Sequence, residues 1–124
     1  MSGIVSIEMP KYLHYICTGA FLDCVYLEKV IFNDNLTVIE DSAFCRCNNL
    51  CDFEFPSSLR IIGKDAFRGC TSLKRVVIPD TVEDIGNYAF LYCSGLEEVI
   101  IPERFYEKRN IIFARCNNVE YKTY

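Results

Sequence analysis

The 124 residues carry 13 basic and 17 acidic side chains, a net charge of -4, with 51% hydrophobic and 24% charged residues. That balance is ordinary for a folded protein and excludes a disordered chain; a single domain over residues 1–124 is expected, long enough to bury a continuous core. The acidic excess argues against nucleic acid or an anionic membrane surface as the default partner, and no apolar run approaches the roughly 20 residues that a membrane-crossing helix needs.

Met1 to His14 offers no charged leader followed by a long apolar stretch, so the sequence shows no signal peptide. A cytoplasmic location is expected, with the cell surface as the alternative if a leader precedes this sequence. Eight cysteines would fit a disulfide scaffold in a small secreted protein. Five of them instead recur in one register, which favours reduced, buried thiols.

The register is a period of 23. Each repeat opens on a large aliphatic residue: Ile4, Leu27, Leu50, Leu73, Leu96 and finally Val119. Three residues later come Ile7, Val30, Phe53, Val76 and Val99, then Met9, Phe32, Phe55, Ile78 and Ile101. Apolar and polar residues alternate over this stretch, which predicts a short strand. All four prolines, Pro10, Pro56, Pro79 and Pro102, follow directly in one column, with Asn33 in the gap; proline ends the strand's hydrogen bonding and turns the chain. Leu13, Leu36, Leu59, Val82 and Phe105, with Ile16, Ile39, Ile62 and Ile85, predict a second short extended piece. The unit closes on Ala-Phe-x-x-Cys, with Phe21, Phe44, Phe67, Phe90 and Phe113 in one column and Cys24, Cys47, Cys70, Cys93 and Cys116 in another. That spacing predicts one helical or 3₁₀ turn.

In chain order the repeats are 4–26, 27–49, 50–72, 73–95 and 96–118, followed by a terminal strand over 119–124. The fifth departs from the pattern, with Lys108 at an isoleucine position and Ile112 at an alanine position, so its second half is expected to be distorted. No repeat can bury its apolar edge alone, and stacking the repeats produces one continuous core.

The unit L-x-x-V-x-I-P-x-x-x-L-x-x-I-G-x-x-A-F-x-x-C, cleanest over Leu73 to Gly95, resembles the BspA-like (Treponema-type) leucine-rich repeats from Ile4 to Tyr124. The resemblance implies a β-rich repeat solenoid, a right-handed coil of parallel strands and short turns. It also implies protein binding at the inner face of a curved sheet, as in microbial surface proteins that adhere to host proteins or in intracellular proteins of protists and viruses. That is fold-level analogy.

Three constellations compete with simple packing. The cysteine column has no histidine or carboxylate at ligand spacing, so small residues packed between phenylalanines are expected, without a metal or other cofactor. Cys17, Cys45 and Cys51 lie off that column and are expected to be accessible; Cys45-x-Cys47-x3-Cys51 looks like a zinc fragment, but its side chains should diverge. His14, three residues from Cys17, has no carboxylate to orient it, and its column of Thr37, Arg60, Glu83 and Tyr106 reads as a surface position, so catalysis is not expected.

The outward strand positions carry the candidate site. One column reads Ser6, Lys29, Asp52, Arg75, Glu98 and Tyr121, with signs that alternate and compensate along the stack. Another reads Glu8, Ile31, Glu54, Val77, Ile100 and Thr123. Val77 and Ile100 are thus adjacent apolar residues on the expected solvent face, rimmed by Arg75, Glu98 and Tyr121, with Ile31, Asp52 and Glu54 beyond: the composition of a small protein-binding hot spot. A secondary basic patch gathers Arg104, Lys108, Arg109 and Arg115. Neither end carries an obvious polar cap, so self-association through the solenoid ends is the alternative to a protein partner.

Overall fold

A computed structural model describes residues 5–124; Ile4, the first residue of the leading column, lies outside that range. The first coil carries β1 (Ser6–Glu8) and β2 (Tyr15–Ile16), and the second β3 (Lys29–Ile31) and β4 (Val38–Ile39). The third has only β5 (Ile61–Ile62), and the fourth β6 (Arg75–Val77) and β7 (Asp84–Ile85). The fifth holds β8 (Glu98–Ile101), a 3₁₀ segment (Glu103–Lys108) and α1 (Arg109–Ile112), and β9 (Glu120–Thr123) closes the chain. All strand pairing is parallel, and β3 pairs with β1, and β8 with β6, at an offset of 23 residues, as Ile7↔Val30 and Val76↔Val99 show.

Three hydrogen-bond ladders join the coils. The strand face comprises β1, β3, β6, β8 and β9; a second ladder runs β2-β4-β5-β7. The third lies at the Ala-Phe-x-x-Cys turn, where Gly19, Phe21 and Asp23 N–H groups donate to Asp41, Ala43 and Cys45 carbonyls, a set repeated one coil on by Ser42, Phe44 and Arg46. The turn keeps i→i+3 bonds, such as Cys47 N–H to the Phe44 carbonyl, but these do not run on into the 3₁₀ or helical segment that the spacing predicts. It carries two left-handed residues in each of the first four coils, Gly19, Ser42, Asp65 and Tyr88 at one position and Asp23, Arg46, Gly69 and Tyr92 at the other, and in the fifth coil Arg115 at the second position. These conformations turn alternate N–H groups sideways to the next coil instead of back along a helix. In the fifth coil the end of the 3₁₀ segment, Glu107–Lys108, stands where the second-ladder strand would be, and Ile112 takes the alanine role by accepting from Phe90 N–H at 2.9 Å.

The core is one cluster running the length of the stack. Phe21, Phe44, Phe67, Phe90 and Phe113 form a ladder of near-parallel rings with centroids 4.9–5.1 Å apart, close to the ~4.8 Å spacing of hydrogen-bonded strands. Backbone pairing therefore sets the stacking distance, and an offset-stacked ring fills it without a void. At the second ladder Gly63 permits close approach: a Cβ there would fall 2.6 Å from Asp41 N.

Candidate functional site

On the strand face, Val77 and Ile100 are register partners, and both are half-buried, less open than alternation alone implies. Arg75 Nε donates to Glu98 Oε1 at 2.6 Å, and Lys122 Nζ meets Glu98 Oε2 at 2.7 Å. Those two cations hold the Glu98 carboxyl below its usual range, Lys122 first. Lys29 pairs with Asp52 at 3.7 Å. The alternating charges of the column pair at Lys29–Asp52 and Arg75–Glu98, whereas Asp52 and Arg75 make no ion pair across the third coil boundary.

That boundary is where the strand face changes. Asp52 makes a single bridge to Lys29, and no strand forms over residues 53–55. Here Phe53 and Phe55 stand at positions held by valine and by isoleucine in the fourth and fifth coils. They are too bulky for that register and pack instead as an aromatic cluster: Phe53 with Phe55 at 4.8 Å between centroids, Phe53 with Phe67 at 5.3 Å and Phe32 with Phe55 at 5.9 Å. Clefts of about 420 Å³ and about 510 Å³ open on either side of them, toward Ile31 and toward Val77 respectively. Asp52 and Glu54 line both.

The BspA type leucine rich repeat region matches residues 1–120, in 6 copies. The chain belongs to this family. Among solved structures, this BspA-type chain is similar to a leucine rich cell surface protein of Faecalibacterium prausnitzii A2-165, with 33% identity, a TM-score of 0.82, and coverage of 96% of this chain and 32% of that one. It is also similar to the Treponema pallidum leucine rich repeat protein, at 25% identity, a TM-score of 0.69, and 97% and 69% coverage. The pneumococcal vaccine antigen PcpA, 21% identical with a TM-score of 0.81 over 98% of this chain and 31% of its own, shares the fold. The chain spans about a third of the length of the F. prausnitzii protein. No curated protein matches the sequence.

The BspA-type register slips once, at the last strand. Glu98 pairs with Glu120 and Val99 with Tyr121, an offset of 22 rather than 23. Tyr121 therefore does not border Ile100 on the outer face, as the uniform period implies. It turns inward, its ring edge-on to Phe113 at 5.8 Å, and burial pushes its hydroxyl up to about 12. Lys122 takes the place beside Ile100. The slip is absorbed just before the strand, where Asn118 adopts a left-handed φ of 63°.

Two members of the basic patch are engaged within the chain. Arg104 bonds Asp80 Oδ1 at 3.0 Å and the Asp80 and Val82 carbonyls. Arg109 lies over the Tyr106 ring at 3.9 Å and donates to the Tyr106 carbonyl at 3.0 Å. Lys108 ends the 3₁₀ segment, and Arg115 occupies a left-handed turn. His14 Nδ1 lies 3.1 Å from the Asn35 carbonyl, a contact between coils.

Cys47, Cys70 and Cys93 are buried, and burial pushes the Cys47 thiol up to about 12 and holds those of Cys70 and Cys93 well above the ordinary thiol value. Cys24 and Cys116 are only half-buried. Cys17 and Cys51 are exposed, but Cys45, expected to be accessible, is buried. It is small between Leu22 and Arg68, its column mates on the adjoining coils, and the sideways bonding of the turn presses these positions together. Phe53, Phe55, Lys74 and Tyr124, which line the larger cleft, escape a reading that treats all strands alike. Their one sequence signal is the size of Phe53 and Phe55 against their columns.

Proposed function

We infer that the chain is a non-enzymatic protein-binding module, an adaptor or an inhibitor, working through its strand face around Val77 and Ile100. Leucine-rich repeats of this family generally serve as protein-interaction scaffolds. The observation that carries the placement is the apolar Val77–Ile100 pair beside the Arg75–Glu98–Lys122 ion chain. Exposed ion pairs contribute little to stability, whereas charges rimming an apolar centre orient a partner and discriminate against wrong ones. Affinity capture from the native cell tests this: Val77→Asp with Ile100→Asp should lose a partner that wild type retains, while still melting cooperatively. Equal capture by the folded double variant would refute the placement.

One observation supports a second reading, assembly through the ends. Tyr12, Tyr15, Leu22, Val25 and Tyr26 of the first coil are all large and exposed, a concentration that stacking on another solenoid would cover. Light scattering over a concentration series distinguishes the two, since end stacking requires a mass that grows with concentration. For location, buried thiols that serve as hydrogen-bond donors fit a reducing, cytoplasmic setting. Surface display, the location named for the F. prausnitzii protein, is the alternative. Alkylation of the protein from its native source decides: disulfide-linked cysteines would exclude the first.

A further inference from the structure

The strand face is bonded fully between coils one and two and between coils four and five. Between coils two and three the bonds from Phe32 N–H to the Glu54 carbonyl and from Glu54 N–H to that of Val30 are missing, and between coils three and four the whole set is. Glu28 and Lys29 N–H share the Val5 carbonyl; Cys51 and Asp52 N–H share that of Glu28; Glu97 and Glu98 N–H share that of Lys74. Their counterparts between coils three and four, from Lys74 and Arg75 N–H to the Cys51 carbonyl, are not made. Nor are Phe53 N–H to the Arg75 carbonyl and Phe55 N–H to that of Val77, the equivalents of Val30 N–H to Asp52 and Ile78 N–H to Ile100. Yet the same two coils are joined elsewhere: Glu83 and Asp84 N–H bond the Arg60 carbonyl, and Phe67 N–H bonds that of Ala89 at 2.7 Å. The boundary is a seam opened on one face only, wedged by Phe53 and Phe55.

We propose that this seam receives an extended peptide segment of a protein partner, which adds as a strand and seats an apolar side chain against Phe53 and Phe55. Backbone donors and acceptors otherwise find partners, and the two seam edges present both kinds in alternation beside a cleft of about 510 Å³ whose lining mixes Phe53, Phe55 and Val77 with charged side chains. A peptide backbone supplies the same alternation, and strand addition combines main-chain bonding with a pocket for a side chain. A phosphate or other compact anion would use the donors alone. Lys74 and Glu54, one charge of each sign beside the cleft, have no ion-pair partner among the described residues and complement a peptide carrying both signs. The inference rests on the protein-binding reading and names the mode of recognition.

The test restores the residues of the neighbouring coils. Phe53→Val with Phe55→Ile should let the seam zip shut, which amide exchange reads directly: Lys74 and Arg75 exchange fast in wild type and slowly in the variant. Random linear peptides displayed on phage, selected on wild type, should bind the closed variant about tenfold more weakly or worse, a loss comparable to that of one anchoring side chain. In wild type the bound peptide should slow exchange at Lys74, Arg75 and Phe55, a readout that holds even if the closed variant folds poorly. Failure to enrich any peptide, equal binding to both proteins, or unchanged exchange at those amides would overturn the seam. Ile100→Asp lies outside the cleft and separates the two ideas. If it loses the native partner while peptides ignore the seam closure, the seam fails and the strand-face reading survives. If it keeps the native partner while peptides lose the closed variant, the reverse holds.

Discussion

The thiol of Cys70 donates to the carbonyl of Phe44 at 3.2 Å, tying the third coil to the second. The contact recurs down the stack: Cys47 to Phe21 at 3.0 Å, Cys93 to Phe67 at 3.1 Å and Cys116 to Phe90 at 3.1 Å. The Phe44 carbonyl also accepts from Cys47 N–H of its own coil at 3.2 Å. The F-x-x-C spacing therefore places one carbonyl between a backbone donor within the coil and a thiol donor from the next. Cysteine suits this position because it is small and apolar and still carries a weak donor.

Replacing Cys70 by alanine should consequently cost about 1–2 kcal/mol, from a small cavity plus a weak hydrogen bond. The cost stays modest because the Phe44 carbonyl keeps its Cys47 N–H donor. Chemical denaturation checks this; a loss below a few tenths of a kcal/mol would mean that the thiol contributes neither packing nor a bond.

The same burial makes the fold sensitive to alkali. The Cys47 thiol is pushed up to about 12 from an ordinary 9.0, and Tyr121 to about 12 from 10.0. Their folded values lie above their unfolded ones, so the stabilisation is fully present below pH 9 and is lost as pH rises toward 12. Melting temperature should fall steeply over that interval, and less steeply in a Cys47→Ala, Cys70→Ala double variant. Equal slopes for the two proteins would show that these thiols stay accessible to hydroxide.

The turn ladder predicts a stabilising substitution. Tyr92 sits in the left-handed region at φ 62° with its side chain largely exposed, at the position that Gly69 fills one coil earlier. A left-handed conformation costs a non-glycine residue about 1–2 kcal/mol, partly offset by the entropy glycine loses on folding. Tyr92→Gly should raise stability by about 0.5–1 kcal/mol. A lower melting temperature would show that the tyrosine ring makes contacts that outweigh the strain.

Much of the fold is legible in the sequence because the period is uniform: identical spacing forces identical columns, and Phe67 between Phe44 and Phe90 follows from arithmetic alone. What escapes is whatever breaks the uniformity. The inward turn of Tyr121 depends on a single residue missing between Cys116 and the last strand, and nothing at Asn117 or Asn118 marks the site of the slip. The burial of Cys45 follows from sideways bonding at a turn whose spacing reads equally well as helical. The seam was encoded in two oversized side chains, Phe53 and Phe55, which column matching counts as two more apolar hits. That Val77 and Ile100 are neighbours, by contrast, follows from the period alone, and the structure pairs them in register, more deeply set than alternation implies.

Placing a photo-crosslinking phenylalanine analogue at Ile100, and separately at Glu83 on the second ladder, tests the binding face most directly. If the strand face is the working surface, irradiation in the native cell links a protein partner to the Ile100 probe and leaves the Glu83 probe without that adduct. The same adduct from Glu83 and none from Ile100 would contradict the account and move the interface to the opposite side of the coil.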